Sequence, residues 1–272
     1  MNRIGIEFIS VFGLPPVQFV DLAADLKCRY ISIALEPMLS NPHDYPAWSL
    51  RKNPSLRREM VAAMQDRNVA ISIGEGFLVR PGTDLRDCAA DLDVMCELGV
   101  RRINTTSIDP DLSRTFDQFA TLVEMADAVG VETTVEFAPR LAIGDLPTAL
   151  AALHHVQRPN FRLLIDTMHL FRSGSGAEDI AALDRDMIGY VQICDVPLVS
   201  RFTEYMDEAR YERLAPGTGE LPLLDILSVL PRHLVLGLEI PMLEHAKAGI
   251  GPRERLGRCI DATRDLLAQL EQ

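Results

Sequence analysis

The sequence predicts a single (β/α)8 barrel that comprises the whole chain, residues 1–272. Eight short apolar segments of strand composition alternate with segments whose apolar residues recur at helical spacing. No change in composition divides the chain, and a length of 272 residues suits one α/β barrel. A doubly wound open sheet is the alternative. That fold normally needs fewer strands, and it gives no reason for polar residues at the ends of so many predicted strands.

The eight predicted strands cover residues 3–9, 30–35, 69–75, 102–105, 132–137, 161–166, 188–194 and 234–239. The predicted helices cover 16–26, a segment from about 56 onward, 85–98, 113–129 and 253–270, and one more begins at Asp145 and Pro147. Gly99 and Gly130 end two of these helices, and Ser113 is the expected N-terminal cap of the fourth. The longest connection spans residues 195–221, and loops of that length are typically lids or binding elements.

Composition and charge exclude several classes of protein. A net charge of −12 without any Lys/Arg-rich run argues against a nucleic-acid partner, which requires a basic surface. The five cysteines (28, 88, 96, 194, 259) form no CxxC pair, which indicates a reducing compartment. A strand pattern that begins at residue 3 leaves no room for a signal peptide, and no apolar run approaches the roughly 20 residues of a membrane span. We therefore expect a cytoplasmic protein with no membrane partner, and the sequence leaves open whether it forms a homo-oligomer.

The stretch with the clearest chemistry is the predicted strand 161–166 and the residues that follow it. The strand ends in Asp166, His169 comes three residues later, and Gly174 breaks the pattern soon afterwards. A parallel strand that stops at Asp166 presents the carboxylate at its carboxyl end, where parallel α/β proteins keep their catalytic groups. The alternative is an aspartate that caps the next turn beside a surface histidine.

Three further predicted strands also end in polar residues, namely Glu136, Gln192 and Glu239. Carboxylates buried together in a barrel mouth repel one another unless a cation neutralises them. The sequence therefore predicts one divalent metal ion bound by Glu136, Asp166, Gln192 and Glu239. An all-oxygen set favours Mg²⁺ or Mn²⁺, and Co²⁺ or Zn²⁺ are the alternatives. A different possibility is that one or two of these acids form ion pairs with arginines, namely Arg102, Arg140 or Arg172.

These motifs together resemble the xylose-isomerase-like TIM barrels, a family that includes sugar-phosphate isomerases and epimerases, over essentially the whole chain. The matching residues are Glu136 in Val-Glu-Phe, Asp166 and His169 in Ile-Asp-Thr-Met-His, Asp195 in Gln-Ile-Cys-Asp-Val-Pro, the turn 216–220 (Pro-Gly-Thr-Gly-Glu), and Glu239 in Gly-Leu-Glu-Ile. The family binds one divalent metal through Glu, Asp, His and Glu at these strand ends. Gln192 departs from the epimerase pattern, which has a histidine there, and is similar to the 3-dehydroshikimate dehydratase branch.

The resemblance implies roles for the residues that match. Similar epimerases use their two metal-bound glutamates as acid and base on opposite faces of the substrate, which here are Glu136 and Glu239. The metal acts as a Lewis acid on the developing enediolate. His169 is expected to hydrogen-bond a substrate oxygen, or in a dehydratase to transfer a proton. Alternatively, His169 only orients a ligand carboxylate.

Several other residues are candidates for contact with the substrate. Glu75 ends the third predicted strand, although a plain salt bridge explains it equally well. Arg140, Arg210 and Arg213 are candidates for holding a phosphate or carboxylate, and the last two lie in the long segment 197–219 that we expect to act as a lid. Each arginine taken singly is more often a solvated surface charge.

The leading function is an isomerase or epimerase that converts a small polyhydroxy carbonyl compound, a keto-sugar or sugar phosphate, through an enediolate. The second is a metal-dependent lyase that dehydrates a keto-polyol acid such as 3-dehydroshikimate. A third is an abasic-site nuclease of the endonuclease IV type, which shares this barrel. The six histidines and the negative net charge argue against the zinc cluster and DNA substrate of those nucleases. The fourth, a sugar-binding barrel without catalysis, conflicts with three intact carboxylates.

Overall fold

The computed structural model describes residues 3–37 and 40–271, in which eight parallel strands form a closed barrel in sequence order. The strands are β1 (Ile4–Ile6), β2 (Tyr30–Ala34), β3 (Ala70–Val79), β4 (Arg102–Ser107), β5 (Glu132–Glu136), β6 (Phe161–Asp166), β7 (Ile188–Ile193) and β8 (Leu236–Leu238). The last strand pairs with the first, so the sheet has no open edge. The predicted single (β/α)8 barrel is confirmed, and the open sheet is excluded.

The helices are α1 (Pro16–Asp25), α2 (Pro54–Arg67), α3 (Ala89–Glu97), α4 (Leu112–Ala128), α5 (Leu146–Val156), α6 (Thr167–Arg172), α7 (Ala177–Ala181), α8 (Tyr205–Tyr211), α9 (Leu223–Val229), α10 (Leu243–Lys247) and α11 (Pro252–Gln269). Within the described residues, 3–37 and 40–271, no helix is long and apolar enough to cross a membrane. Three helix starts differ from expectation. The helix predicted to begin at residue 85 begins as the 3-10 helix Leu85–Cys88, and α3 itself starts at Ala89. Asn53 caps α2 two residues early, and Asp111 rather than Ser113 caps α4, because its carboxylate accepts the backbone N–H of Arg114.

One strand boundary matters for the site, because the prediction that Glu75 ends the third strand is wrong. The strand continues to Val79, and its register against β4 shifts between Gly74 and Phe77. Residues 77–79 are apolar and pair with β4, so they extend the ladder beyond the shift. Glu75 therefore lies inside the strand rather than at its end.

Side chains on the inner face of the sheet form layers, as alternation along the strands requires. On β6 the inner positions are Arg162, Leu164 and Asp166, from the amino end of the barrel to the carboxyl end. At the amino end, Arg162 and the neighbouring Arg102 each place a guanidinium nitrogen 2.5 Å from Glu132. Leu164 belongs to a separate buried apolar cluster in the middle of the barrel. The carboxyl end is the polar layer that contains Asp166.

A glycine on β8 lets a buried carboxylate enter this interior. Glu7, which follows β1, is 1% exposed and accepts a hydrogen bond of 2.8 Å from the hydroxyl of Tyr190. A Cβ at Gly237 would overlap Oε1 of Glu7 and lie 2.9 Å from that hydroxyl. Glycine at this position is therefore a requirement of close packing rather than of backbone conformation.

Gly237→Ala should lower the free energy of unfolding by about 1–3 kcal/mol, the usual cost of overpacking a rigid interior. Urea unfolding followed by far-ultraviolet circular dichroism measures this. The matched control is Gly257→Ala in α11, where the added Cβ meets Leu26 at an ordinary 3.7 Å. We expect the control to be as stable as the parent or more so, because alanine favours helix. Equal stability of the two variants would contradict this packing account.

Candidate metal and active site

Four polar side chains from β5 to β8 meet at the carboxyl end of the barrel. Glu136 and Asp166 are the last residues of β5 and β6, Gln192 is the penultimate residue of β7, and Glu239 follows β8. In the strand register, Asp166 lies beside Gln192, and Gln192 lies beside Gly237, two residues before Glu239. Asp166, Gln192 and Glu239 are buried, and Glu136 is nearly so. The structure thus brings together the four residues that the sequence predicts as metal ligands.

A buried arginine, Arg213, lies between two of these carboxylates. Its Nη1 is 2.7 Å from Oδ2 of Asp166 and 2.7 Å from Oε2 of Glu239. This nitrogen donates hydrogen bonds to Asp166 and to Sγ of Cys194. Its contact with Glu239 is an ion pair without a hydrogen bond. Both carboxylates are therefore in contact with a cation supplied by the chain itself.

The expected ion-pair alternative is thus realised by a different arginine from those that the sequence suggests. Arg102 pairs with Glu132 at the other end of the barrel. Arg172 pairs with Glu208 of α8 at 3.0 Å. Arg140 is exposed and has a left-handed backbone conformation (φ 76°). Within the described part of the chain, none of these three arginines pairs with the strand-end acids.

Two further carboxylates, those of the buried Glu7 and the half-buried Glu75, enlarge the acidic cluster. Burial raises the pKa of Glu7 to about 7, against hydrogen bonds that stabilise its charged form. Burial, followed by the charges of Glu136 and Glu7, raises the pKa of Glu75 well above its ordinary value. These carboxyls resist ionisation because several like charges share one interior with little solvent.

Arg213 affects the pKa values of its two carboxylate partners, Asp166 and Glu239, to different extents. Burial raises the pKa of Glu239, and the nearby Asp166 and Glu136 add to the rise, against the opposing charge of Arg213. Burial also disfavours the charged form of Asp166, but Arg213 and His169 outweigh burial, and the pKa of Asp166 is lowered. One guanidinium therefore outweighs burial at Asp166 but not at Glu239.

The donor atoms in this cluster fit a divalent metal ion. Gln192 Oε1 and Glu239 Oε2 are buried and accept no hydrogen bond from the described residues. The Nε2 of Gln192 donates to Glu7 at 3.4 Å, so its carbonyl oxygen is the end that stays free. Glu136, His169 and Glu239 also offer ligand atoms within 4.8 Å of one another. A second ligand set, which includes the imidazole of His169, thus lies beside the predicted four-oxygen set, whose Asp166 is not part of this close group.

His169 lies in the centre of the cluster and is 5% exposed. Its backbone N–H donates to Oδ1 of Asp166 at 2.8 Å, so Asp166 caps α6 while it faces the site. Its Nε2 is 3.3 Å from Oε1 of Glu136, and its Nδ1 is hydrogen-bonded to the hydroxyl of Tyr205. Asp166 therefore has both predicted roles. It caps a helix, and it also belongs to the cluster at the barrel mouth.

Three residues of the site were missed from the sequence, namely Glu7, Asn104 and Tyr205. Asn104 donates to Oε2 of Glu136 at 2.7 Å and to Oε2 of Glu75 at 3.2 Å, and so holds both acids. Glu7 could have been found, because it follows a short apolar strand as Glu239 does, but the predicted first strand ran past it to residue 9. Asn104 and Tyr205 carry no local signal.

The segment 197–219 lies against the site through several specific contacts. Within it, α8 is joined to α6 by the ion pair of Glu208 and Arg172, and Arg172 also donates to the carbonyl of Pro197 at 2.7 Å. The carboxylate of Asp195 accepts the backbone N–H groups of Gly217 and Gly219, each at 2.9 Å. The Pro-Gly-Thr-Gly turn therefore encloses a carboxylate of the protein and does not present these amides to a phosphate.

The predicted substrate-contact residues fall into two groups. Arg213 is 2% exposed and lies within the acidic cluster, and Glu75 is held in the interior by Asn104. Arg140 and Arg210 are exposed side chains, and nothing among the described residues holds them toward the site. Of the three predicted arginines, Arg213 is therefore the one that lies within the acidic cluster.

A large cavity elsewhere in the barrel does not contain this cluster. It has a volume of about 810 Å³ and lies at the amino ends of the strands, where Arg3, Tyr30 and Val235 line it. In parallel barrels the chemistry occurs at the opposite end, where the βα loops meet. We therefore assign the site by its converging donor atoms rather than by cavity size.

Solved structures of low sequence identity share this fold along nearly the whole chain. The IolI protein with a bound zinc atom has a TM-score of 0.81 at 17% identity, with 98% of this chain and 99% of that chain covered. The probable 3-DHS dehydratase AsbF from Bacillus anthracis has a TM-score of 0.76 at 14% identity, with 96% and 98% covered. A D-allulose 3-epimerase from Methylomonas sp. has a TM-score of 0.72 at 17% identity, with 97% of each chain covered.

The sequence comparisons agree with this fold. No curated protein matches the chain significantly. The family model described as a xylose isomerase-like TIM barrel matches residues 20–261, which include every strand from β2 to β8. The chain therefore belongs to the xylose isomerase-like TIM barrel family.

Proposed function

We propose that the protein is a divalent-metal-dependent isomerase or epimerase that acts on a small keto-sugar or sugar phosphate through an enediolate. The observation that supports this most directly is the pair of carboxylates Glu136 and Glu239 at one barrel mouth. Glu136 ends β5 and Glu239 follows β8, and β6 and β7 lie between these strands, so the two carboxylates can approach a bound molecule from different sides. Two such carboxylates can remove a proton from one face of a carbon and return it to the other.

In this proposal Glu136, Asp166, Gln192 and Glu239 hold the metal, with Mg²⁺ or Mn²⁺ favoured by their oxygen ligands. When bound, the ion supplies Lewis-acid polarisation of a substrate carbonyl. The zinc atom in the IolI structure is an example of a metal ion bound by a barrel of this fold.

The protein groups perform the remaining steps. His169 faces Glu136 and donates a hydrogen bond to a substrate oxygen. Asn104 keeps Glu136 oriented. The segment 197–219 covers the site and excludes water, so that the enediolate neither eliminates nor exchanges protons freely.

Asp166→Ala should lower the affinity for the metal at least about 100-fold, because removal of a ligand costs more than removal of its supporting contacts. Isothermal titration of the metal-free protein with Mn²⁺ and elemental analysis measure this. His169→Gln should retain the metal. Asp109→Ala is the matched control, since Asp109 is a buried aspartate paired with Arg114 outside the cluster. The reverse result, with metal kept by Asp166→Ala and lost by His169→Gln, would assign the ion to Glu136, His169 and Glu239 instead.

The proposed reaction predicts exchange of a carbon-bound proton with solvent. A panel of small ketoses and ketose phosphates is incubated in D₂O with the metal-loaded protein, and proton NMR follows deuterium entry beside the carbonyl. Glu136→Gln and Glu239→Gln should each slow this at least about 100-fold, the usual contribution of an acid–base group. Glu124→Gln on the exposed face of α4 is the matched control. Absence of exchange with every sugar tested would reject the isomerase and epimerase proposal.

A second candidate function, dehydration of a keto-polyol acid such as 3-dehydroshikimate, is supported by the burial of Arg213 within the cluster that contains Gln192. A buried guanidinium is suited to a substrate carboxylate because it can form charge-assisted, bidentate hydrogen bonds. The printed name of AsbF shows that the same fold serves a probable dehydratase.

If the dehydratase candidate is correct, Arg213→Lys should raise KM for the keto-acid by roughly 10–100-fold, the equivalent of one charged hydrogen bond. Lysine keeps the charge near Asp166 but loses the paired donors. Arg210→Lys, at an exposed position, is the matched control and should leave KM unchanged. Loss of water to an aromatic acid is followed by ultraviolet absorbance. No dehydration by the parent protein, or the same KM change in both variants, would reject this candidate.

A further inference from the structure

The helix α8 brings one tyrosine against the imidazole of the site. The hydroxyl of Tyr205 is hydrogen-bonded to Nδ1 of His169, and the two ring centroids are 5.8 Å apart. The ion pair of Glu208 with Arg172, whose side chains are 1% and 11% exposed, fixes the same helix against α6. Tyr205 therefore has a defined place next to His169, although 36 residues separate the two in the sequence.

The surroundings of the second imidazole nitrogen indicate which nitrogen carries the proton. Nε2 of His169 is 3.3 Å from Oε1 of Glu136. A neutral imidazole has one N–H, and a nitrogen that faces a carboxylate is most stable as the donor. Nδ1 is then the acceptor, and the hydroxyl of Tyr205 donates to it. Burial raises the pKa of Tyr205, so this hydroxyl keeps its proton.

A second carboxylate competes for the opposite arrangement. Oδ1 of Asp166 is 3.6 Å from Nδ1 of His169 and could accept from a protonated Nδ1. Without a donor opposite Nδ1, the two carboxylates would favour different tautomers of His169. The hydroxyl of Tyr205 removes this ambiguity, because Nδ1 cannot donate to Asp166 while it accepts from Tyr205.

We propose that Tyr205 is a positioning residue that holds His169 as the tautomer with its proton on Nε2. Held in this form, His169 carries its single ring N–H on Nε2, on the side of Glu136, where a substrate oxygen can accept it, and Nε2 has no lone pair for a metal ion. Tyr205 thereby directs the metal to the four-oxygen set rather than to the set that contains the imidazole. The role toward substrate rests on the proposed function, whereas the tautomer is a property of the protein alone.

The test is the protonation state of His169 in the full-length, metal-free protein. Long-range ¹H–¹⁵N correlation spectra of ¹⁵N-histidine-labelled protein distinguish the two ring nitrogens, and the His169→Gln variant assigns the resonance among the six histidines. We expect the proton on Nε2 in the parent protein. In Tyr205→Phe we expect a shift toward the form protonated on Nδ1, because Asp166 then becomes its acceptor. Tyr211→Phe, at the other end of α8, is the matched control and should leave the tautomer unchanged.

A proton on Nδ1 in the parent protein, or the same tautomer in the parent and Tyr205→Phe proteins, would overturn the proposal. So would an equal shift in Tyr211→Phe, because that result would assign the effect to the position of the helix.

The substitution Tyr205→Phe could also disturb the packing of α8, so a second measurement is needed. This is a titration of the parent and Tyr205→Phe proteins with Zn²⁺. We expect roughly 10–100-fold tighter Zn²⁺ binding by the variant, the scale on which supporting contacts affect metal sites. Unchanged or weaker binding counts against the proposal. Neither readout depends on sugar turnover, so failure of the proposed function would be seen separately.

Discussion

The structure of the site depends on an excess of buried negative charge at one end of the barrel. Five carboxylates enclose this end, namely Glu7, Glu75, Glu136, Asp166 and Glu239, and Arg213 is in contact with two of them. A buried charge is tolerated only when an opposite charge or a proton compensates it. Arg213 compensates for Asp166, whereas burial raises the pKa of Glu7 and of Glu239. Arg213 therefore offsets the cost of burial at Asp166 but not at Glu239.

The segment between β7 and β8 provides the groups that the strands themselves do not. It supplies Arg213 to the carboxylates and Tyr205 to His169, and the contacts of Glu208 and Asp195 hold it in place. In a parallel barrel the strands position the acids rigidly, while the βα loops determine the chemistry. This division explains how one fold includes both an epimerase and a probable dehydratase among its solved structures.

Local patterns predicted the elements well, and they failed where a residue's role depends on distant partners. The barrel and the meeting of Glu136, Asp166 and Glu239 followed from strand periodicity and from polar strand ends. The end of β3 was misplaced, because pairing with β4 extends it past Glu75. Arg210 and Arg213 appeared equivalent in the sequence, yet the first is exposed and the second is buried.

By itself the sequence determined the alternation of strands and helices, and with it that Glu136, Asp166 and Glu239 would face one end of the barrel. Those properties depend on the spacing of residues within single segments. Only the tertiary structure decided that Arg213 would neutralise Asp166, which lies 47 residues earlier, and that Tyr205 would become the hydrogen-bond partner of His169. Such contacts arise when closure of the barrel brings separate loops together, and no periodicity along the chain encodes them.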